Sequence, residues 1–200
     1  MKRKIGKEIL EWVICFVVAY VIYLIVNYFI GTVSGIKQSS MYPTAKDGEK
    51  VLISRRVLWN KEIKRGDIVT IEAPLGLGEE GLAEYSKHKG LGWFSYYVMG
   101  IGKKSYIKRV IALEGEHLVI AEDGKIYIDD EKLEEDYLTE ENTPRLGDVY
   151  DIIVPEGYVF VMGDNREGSM DSWEFGAVPV DKIEGKVGIR IWPLNKIGAL

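Results

Sequence analysis

The sequence predicts a mainly β fold behind one membrane-spanning helix. Three observations predict it: an uncharged run from Trp12 to Ile36, short β-branched segments bounded by glycines after Gly35, and no long helical periodicity beyond the first run. The β part is expected to be an open barrel or paired antiparallel sheets.

The first element is the helix. From Trp12 to Ile30 the only clearly polar residue is Asn27. Ile9–Ile30 as a helix reaches about 33 Å at ~1.5 Å per residue, enough to cross the hydrocarbon core of a bilayer. Val, Ile, Tyr and Trp occur all round it, so it lacks the apolar stripe of a surface helix. Trp12 and Tyr28 stand near its two ends, where interfacial aromatics belong. Lys2, Arg3, Lys4 and Lys7 precede it. The positive-inside rule then places residues 1–8 in the cytoplasm, residues 9–30 in the membrane as a single pass, and residues 36–200 outside. A cleaved secretory signal has a shorter apolar core of ~7–15 residues. Thr32-Val33-Ser34 does resemble a small-x-small cleavage site, which leaves processing after Ser34 open.

The strands follow. Val51–Ser54 and Asp67–Ile71 are β-branched and sit behind Gly48 and Gly66. His117–Ala121 and Lys125–Asp129 flank Glu122-Asp123-Gly124, a hairpin signal. Val159–Met162 and Val187–Ile191 read as further strands. Residues 73–105 form a long connection holding the aromatic cluster Trp93-Phe94-Ser95-Tyr96-Tyr97. Connections this long are usually functional or disordered. It reads either as a partly ordered surface insertion or as a flap whose aromatics touch lipid or a substrate helix.

Composition removes several function classes. A net charge of −5 gives no basic patch for nucleic acid. The acidic residues concentrate between Glu114 and Asp151 and read as a solvated surface. The single cysteine, Cys15, lies in the apolar run, so no intrachain disulfide or cysteine-based zinc site forms. No metal cluster, phosphate loop or cofactor motif is present in the sequence, so neither metal nor cofactor is expected.

The chemistry rests on Ser40 and Lys108. A serine hydroxyl needs a base to act as a nucleophile. Of the two histidines, His88 lies in the long connection and His117 opens a predicted strand; neither adjoins a Ser or Asp motif. A lysine base is the alternative. A free lysine is only ~0.1% uncharged near pH 7.5, and burial among apolar groups favours the uncharged form. Lys108 sits in Tyr-Ile-Lys-Arg-Val-Ile. Strand alternation puts it on the face of Tyr106 and Val110, with Arg109 opposite, reaching solvent or an acid. Taken singly, Ser40 also reads as a loop serine and Lys108 as an edge-strand lysine.

Ser40-Met41-x-Pro43-Thr44, Arg65-Gly66-Asp67-Ile68-Val69, Tyr106-Ile107-Lys108-Arg109-Val110-Ile111 and Gly163-Asp164-Asn165-Arg166, in this order behind an apolar helix, resemble the type I signal peptidases. The resemblance covers nearly the whole chain. It implies a Ser–Lys dyad protease on the outer face of the bacterial cell membrane that cuts secretory preproteins after small-x-small sites. It implies Ser40 as nucleophile, Lys108 as general base and Ser169 as the serine that hydrogen-bonds the lysine amine. It implies that Asp171 and Arg166 order the site, with Asp164 and Asn165 in the same turn. The implied fold is a β-rich catalytic core with a smaller β-rich cap at roughly residues 112–156.

Two positions depart from the family pattern. Gln38 stands where members carry Ser or Gly for the oxyanion hole, and its carboxamide is a candidate donor. Trp173 replaces an arginine that would pair with the aspartate, so Asp171 is expected to pair with Arg166 or Arg109. Two rivals remain beside the general signal peptidase. One is a Ser–Lys protease dedicated to a narrow, pilin-like substrate. The other is a catalytically silent membrane-anchored module that binds signal peptides.

Overall fold

The computed structural model describes residues 2–29, 31–55, 62–79, 82–138 and 149–200. Helix α1 (Lys2–Phe29) is exposed along its apolar length, and Gly6–Phe29 is long and apolar enough to cross a membrane. Ile30, at the expected end of the anchor, lies outside the described residues, as do 80–81 of the long connection and 139–148 of the expected cap.

Fourteen strands are described: β1 (Gly31–Gly35), β2 (Lys50–Ser54), β3 (Ile68–Glu72), β4 (Gly76–Leu77), β5 (Ala83–Glu84), β6 (Ser105–Ala112), β7 (His117–Ile120), β8 (Ile126–Ile128), β9 (Glu131–Lys132), β10 (Tyr150–Ile153), β11 (Tyr158–Met162), β12 (Val178–Pro179), β13 (Ile183–Trp192) and β14 (Gly198–Ala199). The large sheet runs β1-β2-β13-β3-β6-β11-β12, with β14 added to β13, and its pairs are antiparallel. A smaller sheet, β10-β7-β8-β9, is built from one stretch of chain. The protein is mainly β, as its sequence predicts.

Side-chain alternation explains the faces. In β2, Val51 and Ile53 are buried while Lys50 and Leu52 are exposed. All five residues of β3 are buried, as expected of a strand covered on both faces. The predicted hairpin is β7–β8, closed by a bond from Gly124 N–H to Ala121 O (2.8 Å) with Gly124 at φ 79°. The two sheets share a core. Ile111, Ala112, Phe160 and Met162 of the large sheet pack with Leu118, Ile120, Ile126 and Ile128 of the small one.

Two expectations change. The segment Gly31–Gly35 is a strand, pairing with β2 from Gly31↔Ser54 to Gly35↔Lys50. Thr32-Val33-Ser34 resembles a cleavage site in the sequence and carries little strand propensity; ladder hydrogen bonds to β2 override it. The long connection is also ordered over its described part. It holds the short β4–β5 hairpin, a helical turn at Leu91–Trp93 and a wider turn at Phe94–Val98.

Register sets one row across the large sheet. Gly31 pairs with Ser54, Ser54 with Lys186, Lys186 with Val69, and Val69 with Lys108. The chain therefore leaves α1 and enters the sheet at the level of Lys108. Phe160→Ala, at the shared core, is expected to cost about 3–5 kcal/mol. Urea unfolding in detergent should show it as a lower midpoint, and an unchanged midpoint would contradict this account of the core.

Candidate active site

Lys108 sits on β6 between β3 and β11, not on an edge. Its side chain is 3% exposed. The amine donates to Ser169 Oγ and to Asp171 Oδ1, the latter at 2.8 Å. Asp171 is fully buried, and its Oδ1 also accepts from Gly163 N–H (2.8 Å) and from the Ser169 hydroxyl. The Asp171 carbonyl in turn begins the helical turn Ser172–Phe175, accepting from Glu174 N–H and Phe175 N–H. Ser172 Oγ accepts from Val161 N–H on β11. The segment 169–172 is thus fixed at both ends, and it fixes the lysine.

Ser40 comes from the other side. Met41, 1% exposed, plugs the core beside Ile36, Val51 and Val187 and so seats the turn that bears Ser40. Asn165 N–H donates to Ser40 O (2.9 Å) and Asn165 Nδ2 to Ser39 O (3.2 Å). Thr44 Oγ1 donates to Asp164 Oδ2 at 2.5 Å. Gly163 is the contact point between the two halves. A Cβ there would lie under 3.0 Å from both Ser169 Oγ and Ser40 O. Only glycine allows this approach.

Arginines brace the turn. Arg109 reaches Asp164 with two bonds, Nε to Oδ1 (2.8 Å) and Nη2 to Oδ2 (2.7 Å). Burial works to lower the Arg109 pKa, but the hydrogen bonds and charge of Asp164 outweigh it and hold the guanidinium above its usual range. Tyr137 lies over that guanidinium at 3.9 Å. Burial, and then the charge of Glu135, push the Tyr137 hydroxyl well above its ordinary value. Arg166 is buried, donates from Nε to Gly163 O (3.0 Å) and forms an ion pair with Glu135.

The structure therefore brings together Lys108, Ser169 and Asp171, and separately ties Asn165 and Arg166 to the backbone of Ser39, Ser40 and Gly163, and Asp164 to the side chains of Thr44 and Arg109. The Ser40 hydroxyl makes no hydrogen bond among the described residues; the amine of Lys108 faces Ser169 and Asp171 instead. The expected pairing of Asp171 with Arg166 or Arg109 is replaced by its pairing with Lys108. Asp164 and Glu135 satisfy the two arginines, and Trp173 packs against the core shared by the sheets. Gln38 is exposed and makes no hydrogen bond among the described residues. Glu135, Tyr137 and Thr44 were missed. Glu135 belongs to the acidic stretch read as solvated surface, and the only available signal was a buried arginine needing a partner. His117 stands 2.8 Å from Asp151 at the surface, and His88 stacks on Tyr96.

Ser40 and Gln38 line a groove of about 580 Å³. Thr32–Ile36 and Ser105–Ile107 also line it, with Gly100, Lys103 and Lys104 from the end of the long connection.

Residues 9–192 match the family model described as signal peptidase, peptidase S26. The chain belongs to this family. It is 33% identical over 205 aligned residues to signal peptidase IB of Staphylococcus aureus, covering 95% of this chain and 93% of that protein. It is 35% identical over 162 residues to the chloroplastic thylakoidal processing peptidase 1 of Arabidopsis thaliana, covering 81% of this chain and 42% of that protein. A crystal structure of a signal peptidase I from Enterococcus faecalis is 26% identical, with a TM-score of 0.43, over 62% of this chain and 96% of the other.

Gly163→Ala is expected to push Ser169 and the Ser40 backbone apart, lowering peptidase activity by about a hundredfold, the scale of an ångström-sized misplacement. Full activity in a folded Gly163→Ala protein would show that the two halves need not touch.

Proposed function

We propose that this chain removes signal peptides from secretory preproteins, with Ser40 as nucleophile and Lys108 as general base. The observation that carries the reading is the stitching of the Ser40 turn, at Gly163 and Asn165, to the segment that holds the lysine amine. Membership of a peptidase family and the names of the relatives support the reaction class.

The mechanism follows from the groups present. A preprotein strand laid between Thr32–Ile36 and Ser105–Ile107 would extend the sheet and carry its scissile bond to Ser40. The Ser40 hydroxyl attacks the carbonyl carbon while the uncharged amine of Lys108 takes the proton. Catalytic hydrogen bonds that are open in a free enzyme close in the substrate complex, so the Ser40 hydroxyl turns to the amine as substrate enters. Ser169 and Asp171 hold the amine for that transfer. The Ser40 backbone N–H makes no hydrogen bond among the described residues and is one donor for the oxyanion, with the Gln38 carboxamide as the second. Lys108 returns the proton to the departing amine, leaving an acyl-enzyme on Ser40. The same amine then draws a proton from water as it attacks the ester.

The anchor completes the reading. Helix α1 spans the bacterial cell membrane once, with Lys2, Arg3, Lys4 and Lys7 on the cytoplasmic side and the β part outside. A preprotein held in the same bilayer by its own apolar segment meets Ser40 at raised effective concentration. A narrower substrate range is favoured by one observation: Gly100, Lys103 and Lys104 bring the long connection into the groove wall.

Cleavage of a purified preprotein in detergent tests the dyad. Ser40→Ala and Lys108→Ala are each expected to reduce turnover by about a thousandfold or more. Residual cleavage near the native rate in either variant would end the assignment, and cleavage of only one precursor among many would establish the narrow reading.

A further inference from the structure

Residues 91–101 expose apolar side chains that the catalytic groove does not use. Leu91 is 88% exposed, Ile101 60%, Trp93 and Phe94 43% each, and Met99 42%. They are grouped on one excursion of eleven residues, and Lys87, Lys89 and Lys104 stand exposed at its two roots. Exposed large apolar residues grouped in one short segment beside cations point to an interaction surface rather than to singly scattered surface residues.

The excursion is held rigidly from below. Tyr97 donates to the buried Glu72 Oε2 (2.9 Å), and Lys182 bridges Glu72 (3.0 Å) and Tyr97 (3.2 Å). His88 stacks on Tyr96 with ring centroids 4.0 Å apart. The apolar residues are thus presented outward on a fixed base.

Strand register says what they face. Starting from the row that joins Gly31 to Lys108, β3 runs on to Glu72 and β6 starts back at Ser105, its partner. Both lie three residues beyond the row, about 10 Å at ~3.3 Å per residue, on the side from which α1 arrives. The long connection springs from that edge. Tyr28, in the last turn of α1, lines one cavity of about 570 Å³ with Trp93, Tyr97 and His88. The excursion therefore stands beside the end of the helix, at the depth where tryptophan, tyrosine and lysine favour the headgroup zone.

We infer that residues 91–101 are a second membrane contact, a foot whose Leu91, Trp93 and Phe94 enter the lipid interface while Lys87, Lys89 and Lys104 meet anionic headgroups. The inference rests on the reading of α1 as a bilayer anchor. The foot and the anchor give the catalytic domain two points of attachment, which fixes the height of Ser40 above the membrane. Ser40 then meets only bonds that lie at that height on a bilayer-held preprotein.

Full-length protein in phosphatidylcholine vesicles, with and without about one third phosphatidylglycerol, provides the test. The lipids carry bromine near the carbonyl end of their acyl chains. One variant keeps only Trp93, with Trp12, Trp59, Trp173 and Trp192 changed to Phe; a second keeps only Trp12. The expected result is bromolipid quenching of both, with Trp93 quenching stronger in the anionic vesicles. Quenching of Trp12 without Trp93 overturns the foot and leaves the anchor standing. No quenching of Trp12 overturns the anchor reading and the foot with it. A Trp93 signal that responds to added preprotein but not to bromolipid assigns the patch to substrate and also overturns the proposal. Leu91→Ser with Phe94→Ser should lower cleavage of a vesicle-embedded preprotein about tenfold, ~1.4 kcal/mol, and leave cleavage of a short soluble peptide unchanged. Lys87→Glu with Lys89→Glu, which spares the apolar residues, should remove the anionic-lipid effect alone; its persistence would contradict the headgroup contact.

Discussion

The arrangement depends on one buried carboxylate oxygen. Asp171 Oδ1 collects the amine of Lys108, the hydroxyl of Ser169 and the N–H of Gly163. A charge taken out of water is costly unless a partner and hydrogen bonds meet it. Here the partners are drawn from a central strand, a loop and a glycine turn. Bringing three donors to that one oxygen therefore forces those three segments into one geometry, while Oδ2 of the same carboxylate is buried without a partner among the described residues. Two further buried pairs, Arg109 with Asp164 and Arg166 with Glu135, repeat the device around the same turn. An irregular stretch from Gly163 to Ser172 acquires the rigidity of a strand by this route. Catalytic positioning, which demands such rigidity, can then sit on a loop.

The small sheet takes part in that bracing. Glu135 and Tyr137 lie just past β9, and they contact Arg166 and Arg109 directly. The smaller sheet is thus joined to the site through two arginines as well as through the shared core around Phe160. It thereby braces the two arginines that meet Asp164 and the Gly163 carbonyl.

Elements whose signal is local were legible in the sequence. The apolar helix, the Asp-Gly hairpin and strands such as Val159–Met162 carry periodicity or turn chemistry within a few residues. The bond between Lys108 and Ser169 was legible too, but through the family resemblance rather than through spacing; the pairing of Asp171 with the lysine was not. Strand β1 was not legible, because Gly-Thr-Val-Ser-Gly has little propensity of its own and is a strand only because β2 supplies its hydrogen bonds. The partners of the arginines were hidden for a related reason. Nothing in the stretch around Glu135 distinguishes the one carboxylate that meets Arg166 from its solvated neighbours; only tertiary packing selects it. The replacement of the expected arginine by Trp173 was read as a lost charge partner. The fold instead uses the indole as core filling and gives Asp171 to the lysine.

Phe29 ends the helix and Gly31 begins the first strand, so a single residue separates the two. That strand also lines the groove that holds Ser40. A helix in a bilayer thinner or thicker than its apolar length tilts to compensate. Were α1 held in such a bilayer, its tilt would act on a strand that begins only two residues beyond Phe29 and lines the groove at Ser40.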